Sequence, residues 1–507
     1  MNFNKLNNFG GWTVFGISTL VYLLTVEETG SFWDAGEFIA VSYKLMVPHP
    51  PGAPFFLLLG RMFSFLAFGD VTQVAYWINM VSVLASGFTI LFLFWTISML
   101  SRKLLKVSSP ELISFEYAFL CLGSATVGSL AYSFSDSFWF SAVEAEVYGL
   151  SSFFTAFVVW AILKWELIED ESRGNRWLIL IAYMMGLSIG VHLLNLVTIP
   201  ALGLIYYFKK YKEPTAWGII SALAISGGLI ILINNIIIPG LPTLAGSFEI
   251  FFVNTLGLPF GSGALFIAVL IIGGLFWGIL HSLKKEKAIL HTSLLGLAFI
   301  LIGYSSYALV VIRSNYNTPI NENDPSDVMS LEKNLKREQY GSRPLLKGQY
   351  FTAQVLGTKE GEKVYVKGKD KYEVAERRIS YEYDPNHSTI LPRMNSNAAP
   401  HVQRYREVTG LREGEKPSFI DNMEFMLKHQ MGWMYMRYFL WNFAGREGDW
   451  QDADWLSISD AFEDVPKQIA ENEGRNNFFM IPLILGLIGM VFQYSKSKRE
   501  FAVVAML

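Results

Sequence analysis

Two acidic side chains follow the first long apolar stretch of the chain. Asp34 and Glu37 lie three residues apart after Ser31-Phe32-Trp33, so on a short helix that begins near Asp34 they share one face. An acid beside a membrane surface is costly unless it is solvated, paired or used. One carboxylate of such a pair can act as a general base towards a hydroxyl group while its neighbour holds it in place. The same spacing also fits a capping box, and both interpretations stay open.

A proline-rich turn presents His49 shortly after the acidic pair. The turn reads Val47-Pro48-His49-Pro50-Pro51, and proline lacks the amide hydrogen that regular structure requires. Arg61 lies in the apolar segment that follows, and Arg313 ends a much later apolar run. Cations at headgroup depth can hold a lipid phosphate. The alternatives are that His49 is a solvated loop residue, that Arg61 snorkels and that Arg313 marks a membrane boundary.

A second acidic pair and a further histidine complete the candidate residues. Glu144 and Glu146 open another apolar run, where the positive end of a helix favours acids. They point to different sides of a helix, so one can face a cavity while the other caps. His192 separates two apolar runs, and such a residue is most often an interface or packing histidine.

The sequence gives no sign of a resident cofactor. It contains no phosphate-binding loop, no dinucleotide fingerprint and no zinc-ligand spacing. We therefore predict no metal site, and a divalent cation held by Asp34, Glu37 and Glu144 is kept only as an alternative. The single cysteine, Cys121, excludes an internal disulfide framework and a Cys-based metal site.

The elements that position these residues are predicted to be membrane helices joined to a water-exposed domain. Of the 507 residues, 52% are hydrophobic and 17% are charged, which is too apolar for one soluble domain and too charged for a bare helix bundle. The net charge of −3 provides no basic field for nucleic acid. We therefore expect membrane lipids, and not nucleic acid, as partners.

The placement of basic residues predicts the topology. Ten apolar runs approach the length of about 20 residues that a membrane span needs. Basic clusters such as Arg102-Lys103 all fall on the cytoplasmic side only if the apolar segment 54–68 does not cross the membrane. We therefore predict an interfacial helix there. The acidic loops then lie outside the cytoplasm, so we expect a bacterial inner-membrane protein whose active site faces the periplasm.

Three parts of the chain differ in composition. Residues 1–312 are predicted to form the transmembrane catalytic domain, and residues 313–475 a soluble extracytoplasmic domain of mixed α+β structure. Residues 476–507 are expected to form further transmembrane helices in a chain that continues past Leu507. In the middle part, 363–366 and 372–383 are strand-like, and 421–443 is an aromatic helical segment expected to rest on the membrane surface.

The order of these features resembles the GT-C superfamily of membrane glycosyltransferases, and within it the protein O-mannosyltransferase-like branch. The segments that carry the resemblance read WDAGEFIA from Trp33, HPPGAPFFLLLGRMF from His49, AVEAEVYGL from Ala142 and GLSIGVHLLNL from Gly186. The resemblance is strongest over residues 10–210 and continues more loosely through later segments. It implies a mainly α, GT-C-type helical bundle with an interfacial helix in its first external loop.

The resemblance also implies an activity and roles for the candidate residues. The implied reaction moves a sugar, mannose first, from a polyprenyl-phosphate donor to a hydroxyl group, with Ser or Thr of extracytoplasmic proteins as acceptor and with inversion. Asp34 is implied as the general base, with Glu37 beside it. Three cations are expected to bind the donor phosphate: His49, Arg61 and Arg313. Three residues are expected to support the acceptor side: Glu144, Glu146 and His192.

Two other functions stay open from the residues alone. A transporter or lipid flippase would carry ionisable residues at mid-membrane depth or broken helices in matching halves, whereas here the acids cluster at one face. A non-catalytic component of an envelope or secretion complex needs no motif at all. Within the enzyme class, the acceptor could also be a lipid or a glycan.

Overall fold

The computed structural model describes residues 2–106 and 114–507, and its helices follow the apolar runs of the sequence. The chain divides into one unit of Met1–Glu249, Gly261–Lys336 and Ile484–Leu507 and a second unit of Ile250–Phe260 and Arg337–Leu483. The domain division predicted after residues 312 and 475 stays a prediction beside these bounds.

The first unit is built from helices. They are α1 (Phe3–Leu24), α2 (Ala35–Lys44), α3 (Pro54–Ser64), α4 (Val74–Leu104), α5 (Phe115–Ser133), α6 (Asp136–Ala142), α7 (Val147–Glu166), α8 (Glu171–Ile189), α9 (Ile199–Lys210), α10 (Ala216–Ile231), α11 (Gly240–Ile250), α12 (Ser262–Lys284), α13 (Ala288–Tyr304), α14 (Ala308–Ser314) and α15 (Val328–Leu335). Near the end of the chain follow α20 (Ile481–Lys496) and α21 (Lys498–Met506), which are numbered after the elements of the second unit.

The chain is a multi-pass membrane protein of the mainly α class, as the sequence predicted. Within the described residues, five helical stretches are long and apolar enough to cross a membrane: Val71–Leu104, Val147–Glu166, Ala216–Thr255, Ser262–Lys284 and Ala288–Ser314. A sixth follows if α5 and α6, which meet at a 70° bend, form one span. Four of the ten predicted runs are not among these stretches: α1 and α8 carry polar residues, and α9 and α20 are short. The stretch Pro54–Ala67 is too short to span, as expected for an interfacial helix.

A hydrophobic core lies next to the loops that carry the acids. α4 packs against α1, α5 and α7, and α3 packs against both α2 and α4. The side chains that meet there are buried, and the largest of them are Phe38, Phe56, Leu57, Ile78 and Phe154. Because these helices are fixed by a shared core, the loops at their ends are held in defined positions.

The second unit has the mixed α+β structure predicted for the soluble part. Its elements are β1 (Lys347–Gln349), β2 (Val355–Lys367), β3 (Tyr372–Tyr383), β4 (Ser388–Ile390), α16 (Ala399–Thr409), α17 (Phe419–Phe425), α18 (Arg437–Trp441), β5 (Gly445–Arg446), α19 (Lys467–Ala470) and β6 (Asn476–Asn477). β2 and β3 form an antiparallel ribbon in which Lys367 lies opposite Tyr372. A π-helical stretch, Met426–Met436, joins α17 to α18 in the predicted aromatic segment.

Candidate active site

Asp34 immediately precedes α2 and occupies its N-cap position. Its side chain makes no capping hydrogen bond, and 58% of the side chain is exposed. The residue before it, Trp33, has a positive φ of 61°, a conformation that is uncommon outside glycine and often found at functional sites. The capping-box alternative is therefore wrong for Asp34, and its carboxylate is available for other chemistry.

Glu37 holds His49 beside Asp34. α2 ends at Leu45, whose left-handed backbone reverses the chain, and the following segment returns along the helix. One oxygen of Glu37 accepts the backbone amide of His49 at 2.8 Å, and the other accepts its ring Nδ1 at 2.7 Å. The second ring nitrogen, Nε2, then lies 3.9 Å from the nearer oxygen of Asp34. The three residues form one acid–imidazole–acid cluster.

The charges within this cluster reinforce each other. The hydrogen bond to Glu37 raises the pKa of His49, and this effect together with the charges of Glu37, Asp34 and Glu322 outweighs the opposing effect of burial. Burial alone would raise the pKa of Glu37, but the hydrogen bonds and positive charge of His49 outweigh it and lower that pKa. Compared with an isolated histidine, the structure therefore favours the protonated ring of His49 beside an ionised Glu37.

The second acidic pair is buried and lies next to the first loop. Glu144 and Glu146 are 5% and 7% exposed. Glu144 accepts a hydrogen bond from Ser31 in the first loop, and Glu146 caps α7 by accepting the amide of Val147 at 3.2 Å. One acid thus faces the first loop while the other caps, which is the division that the spacing predicted.

Burial changes the protonation of this second pair. It raises the pKa of Glu144 to about 7, against the hydrogen bond from Ser31 and with a contribution from Glu27. Burial, followed by the negative charge of Glu144, raises the pKa of Glu146 to about 7, and the charge of Asp34 adds to this shift. The site therefore combines a carboxyl group of lowered pKa, Glu37, with two that are partly protonated near neutral pH, a pattern that separates acid and base roles in enzymes.

Asn79 on α4 is a positioning residue that the sequence analysis missed. It is 1% exposed, and its side-chain amide donates to the backbone oxygens of Glu27 at 2.7 Å and Thr29 at 3.1 Å. The amide of Glu27 in turn donates to the oxygen of Val143 at 3.0 Å. These bonds hold the two acidic loops together. An asparagine inside an apolar helix is the signal that could have identified it.

Arg61 and Arg313 lie at the other end of α2, about 15 Å along a ten-residue helix from Asp34. Arg61 donates to the oxygen of Tyr43 at 2.6 Å. Arg313 donates to the oxygen of Leu45 at 2.5 Å and to that of Lys44 at 3.1 Å. Both cations thus satisfy carbonyl groups at the C-terminal end of α2. Phosphate binding by them stays a prediction.

His192 lies at the rim of the same region. Its ring packs at an angle of 54° against that of Tyr148 in the first turn of α7, with ring centres 5.4 Å apart. Its Nδ1 accepts the amide of Leu194 at 3.1 Å. The preceding Gly190 accepts the amide of Phe55 at 2.8 Å, which joins this turn to the start of α3. The structure therefore brings His192 next to the second acidic pair.

One group of side chains in the described part of the chain has the spacing of metal ligands. Asp34, Glu37 and His49 each offer one ligand atom, and these atoms lie within 4.8 Å of one another. Carboxylate oxygen and imidazole nitrogen suit divalent ions. The group contains His49 where the sequence alternative had Glu144. A ligating nitrogen must be deprotonated, so a bound ion would exclude the imidazolium form of His49.

Comparison with known proteins finds one family model that matches the N-terminal part of the chain. Residues 34–215 match the model described as the protein O-mannosyl-transferase TMEM260 N-terminal domain. The chain carries an O-mannosyltransferase-like N-terminal domain. The branch predicted from the sequence is thereby confirmed, and this domain contains all of the acidic site residues. Residues 341–427 match a family of unknown function.

Two curated relatives are named protein O-mannosyl-transferase TMEM260. The protein from Dictyostelium discoideum is 26% identical over 196 residues, which cover 36% of this chain and 21% of that protein. The protein from Mus musculus is 28% identical over 230 residues, which cover 44% of this chain and 29% of that protein. The chain thus matches less than a third of the length of either relative. No solved structure matches.

Proposed function

We propose that this chain is a membrane glycosyltransferase that moves a mannosyl group from a polyprenyl-phosphate donor to the hydroxyl group of a Ser or Thr in an extracytoplasmic protein. The observation that carries the proposal is the carboxylate of Asp34, which is 58% exposed, engaged in no cap and 3.9 Å from the Nε2 atom of His49. The named activity of the relatives supports the same reaction class.

The proposed reaction is a single displacement. Asp34 removes the proton of the acceptor hydroxyl, and the resulting oxygen attacks the anomeric carbon of the donor. The bond between that carbon and the phosphate oxygen breaks, and the polyprenyl phosphate leaves with the electron pair and one additional negative charge. Attack opposite the leaving group inverts the anomeric configuration.

His49 is proposed to offset the charge that develops on the leaving phosphate. Glu37 forms a hydrogen bond with Nδ1 of the ring, so Nε2 is the nitrogen that remains for the substrate and Asp34. A preorganised positive charge stabilises a departing anion without reorganisation during the reaction. Arg61 and Arg313 are proposed to act on the donor only if they release the carbonyls of α2.

Glu144 and Glu146 are proposed to support the acceptor or the transferred sugar. With pKa values raised to about 7 by burial, they are partly protonated at neutral pH. A neutral carboxyl group can donate a hydrogen bond to a sugar hydroxyl, which an ionised one cannot. His192 is proposed to line the acceptor side.

The second unit is proposed to select the acceptor protein. Its aromatic segment exposes Leu427, Met431 and Tyr435, which suits a surface that rests on the headgroup region. We propose the bacterial inner membrane as location, with the site facing the periplasm. The relatives named above are eukaryotic, so their membranes offer no direct guide.

The test compares sugar transfer by purified wild type and Asp34→Asn, with synthetic polyprenyl-phosphate-mannose and an extracytoplasmic protein extract. Asp70→Asn is the matched control, because Asp70 is an exposed aspartate on the same side that caps a short helix by accepting Thr72 at 2.9 Å, and asparagine caps equally well. We expect transfer by wild type and by the control, and at least a hundredfold loss in Asp34→Asn.

The other results are equally informative. Transfer by all three proteins would remove Asp34 from the role of base. No transfer by any protein, across a panel of lipid-linked sugars, would favour the non-catalytic membrane component.

A further inference from the structure

A polar cavity lies at the end of the first helices opposite to the acids. It has a volume of about 100 Å³ and opens between the first residues of α1 and the last turns of α4 and α7. Arg102 and Lys164 line it. The positive-inside rule assigns this end to the cytoplasm. The volume is enough for several water molecules and hence for one phosphate group.

The wall of this cavity contains polar atoms that lack a partner. Within residues 2–106 and 114–507, Asn7 Oδ1, Ser98 Oγ and Arg102 Nε make no hydrogen bond, although Ser98 is 1% exposed. Buried polar atoms in native proteins are nearly always satisfied. All three atoms belong to residues that line the cavity, so its wall is polar.

The charges of the cavity define the sign of that ligand. Arg102 and Lys164 form no ion pair among the described residues, and their nearest recorded contacts are aromatic rings. The neighbouring Lys103, by contrast, is paired with Glu166 at 2.8 Å and Glu500 at 2.6 Å. No acidic side chain among those described lines the cavity. Two uncompensated cations and the positive end of α1 therefore face the same space.

We propose that this cavity binds the phosphate group of an anionic lipid from the cytoplasmic leaflet. Basic pockets between membrane helices on the cytoplasmic side are suited to such headgroups. Trp95 and Trp160 border the cavity, with ring centres 5.8 Å apart, and indole rings favour the membrane interface. The site is separate from the proposed glycosyl-transfer site, which lies at the other end of the same helices.

The test measures thermal unfolding of the full chain in detergent with added phosphatidylglycerol, phosphatidylcholine or inorganic phosphate. We expect phosphatidylglycerol to raise the Tm of the wild type by a few degrees, and phosphatidylcholine to have no such effect. Arg102→Gln and Lys164→Gln should lose the rise. Lys285→Gln is the matched control, because Lys285 is an exposed basic residue that follows α12 on the same side.

Arg102→Lys controls for a general loss of folding in Arg102→Gln. Because it keeps the positive charge, it should retain part of the increase in Tm with phosphatidylglycerol. A rise with inorganic phosphate alone would retain the anion site and assign it to a soluble ion. Equal rises with both lipids, or rises that survive in Arg102→Gln and Lys164→Gln, would overturn the proposal. Counting bound lipids by native mass spectrometry gives a second readout that does not depend on stability.

Discussion

Replacing Glu37 by glutamine tests whether the charge of His49 matters for transfer. Glu37 accepts both the backbone amide and the ring Nδ1 of His49. Glutamine keeps an acceptor for one of these donors but loses the negative charge that favours the imidazolium. The variant is nearly isosteric, so the cluster should retain its shape.

The size of the effect follows from the lost interaction. A hydrogen bond between charged groups contributes about 1.5–3 kcal/mol, and one pKa unit corresponds to about 1.4 kcal/mol. Loss of this interaction should therefore lower the pKa of His49 in Glu37→Gln. Because the hydrogen bond to Glu37 raises that pKa in the wild type, the variant should lose the imidazolium at a lower pH than the wild type.

The assay is the rate of sugar transfer between pH 5.5 and 9, a range that brackets the ordinary pKa of about 6.5 for histidine. If His49 must be charged, the rate declines as the pH rises through its pKa, and this decline should begin at a lower pH in Glu37→Gln. Glu28→Gln, an exposed glutamate of the same loop, should follow the wild type. Superimposable profiles of Glu37→Gln and wild type would refute the role of this ion pair.

Three further perturbations separate the remaining roles. Glu144→Gln should melt at a higher temperature than wild type at pH 8 and at the same temperature at pH 4, because a carboxyl whose pKa is raised from 4.5 to about 7 costs stability as the pH rises through that window. Arg313→Gln removes the charged donor to Leu45 and should lower stability by about 1–3 kcal/mol with the KM for the donor unchanged; a raised KM at an unchanged Tm would instead support phosphate binding. Transfer should persist in EDTA, because the proton on His49 already supplies positive charge between the two acids; a loss that Mn²⁺ restores would assign an ion to that cluster.

Local features of the site could be predicted from the sequence because neighbours in the chain are neighbours in space. The helix after Asp34, the short interfacial helix after the prolines and the division between Glu144 and Glu146 all depend on a few adjacent residues. The capping box does not form although its spacing is right, because Glu37 is hydrogen-bonded to His49, twelve residues further on. A reversal of the chain after α2 produced that pairing, and no local spacing encodes such a reversal.

Long-range partners were beyond sequence reasoning. The bond from Arg313 to Leu45 joins residues 268 positions apart, and the bonds from Asn79 link α4 to a loop some fifty positions earlier. Five of the ten apolar runs meet the length and hydropathy expected of a span in the described residues, and a sixth does so only if α5 and α6 are one bent span. Hydrophobic patterning predicted which parts form helices, whereas the contacts between them depend on the packed core.

The hydrogen bonds from Arg313 to the end of α2 determine how short a chain can keep this site intact. The matched domain ends at residue 215, yet Arg313 and Asn321, which forms an isolated parallel bridge with Val47, lie beyond it. A chain cut at residue 215 would keep Asp34, Glu37, Glu144 and Glu146 but would release the turn that carries His49. The matched segment of this chain is therefore not sufficient by itself to hold the histidine between its two acids.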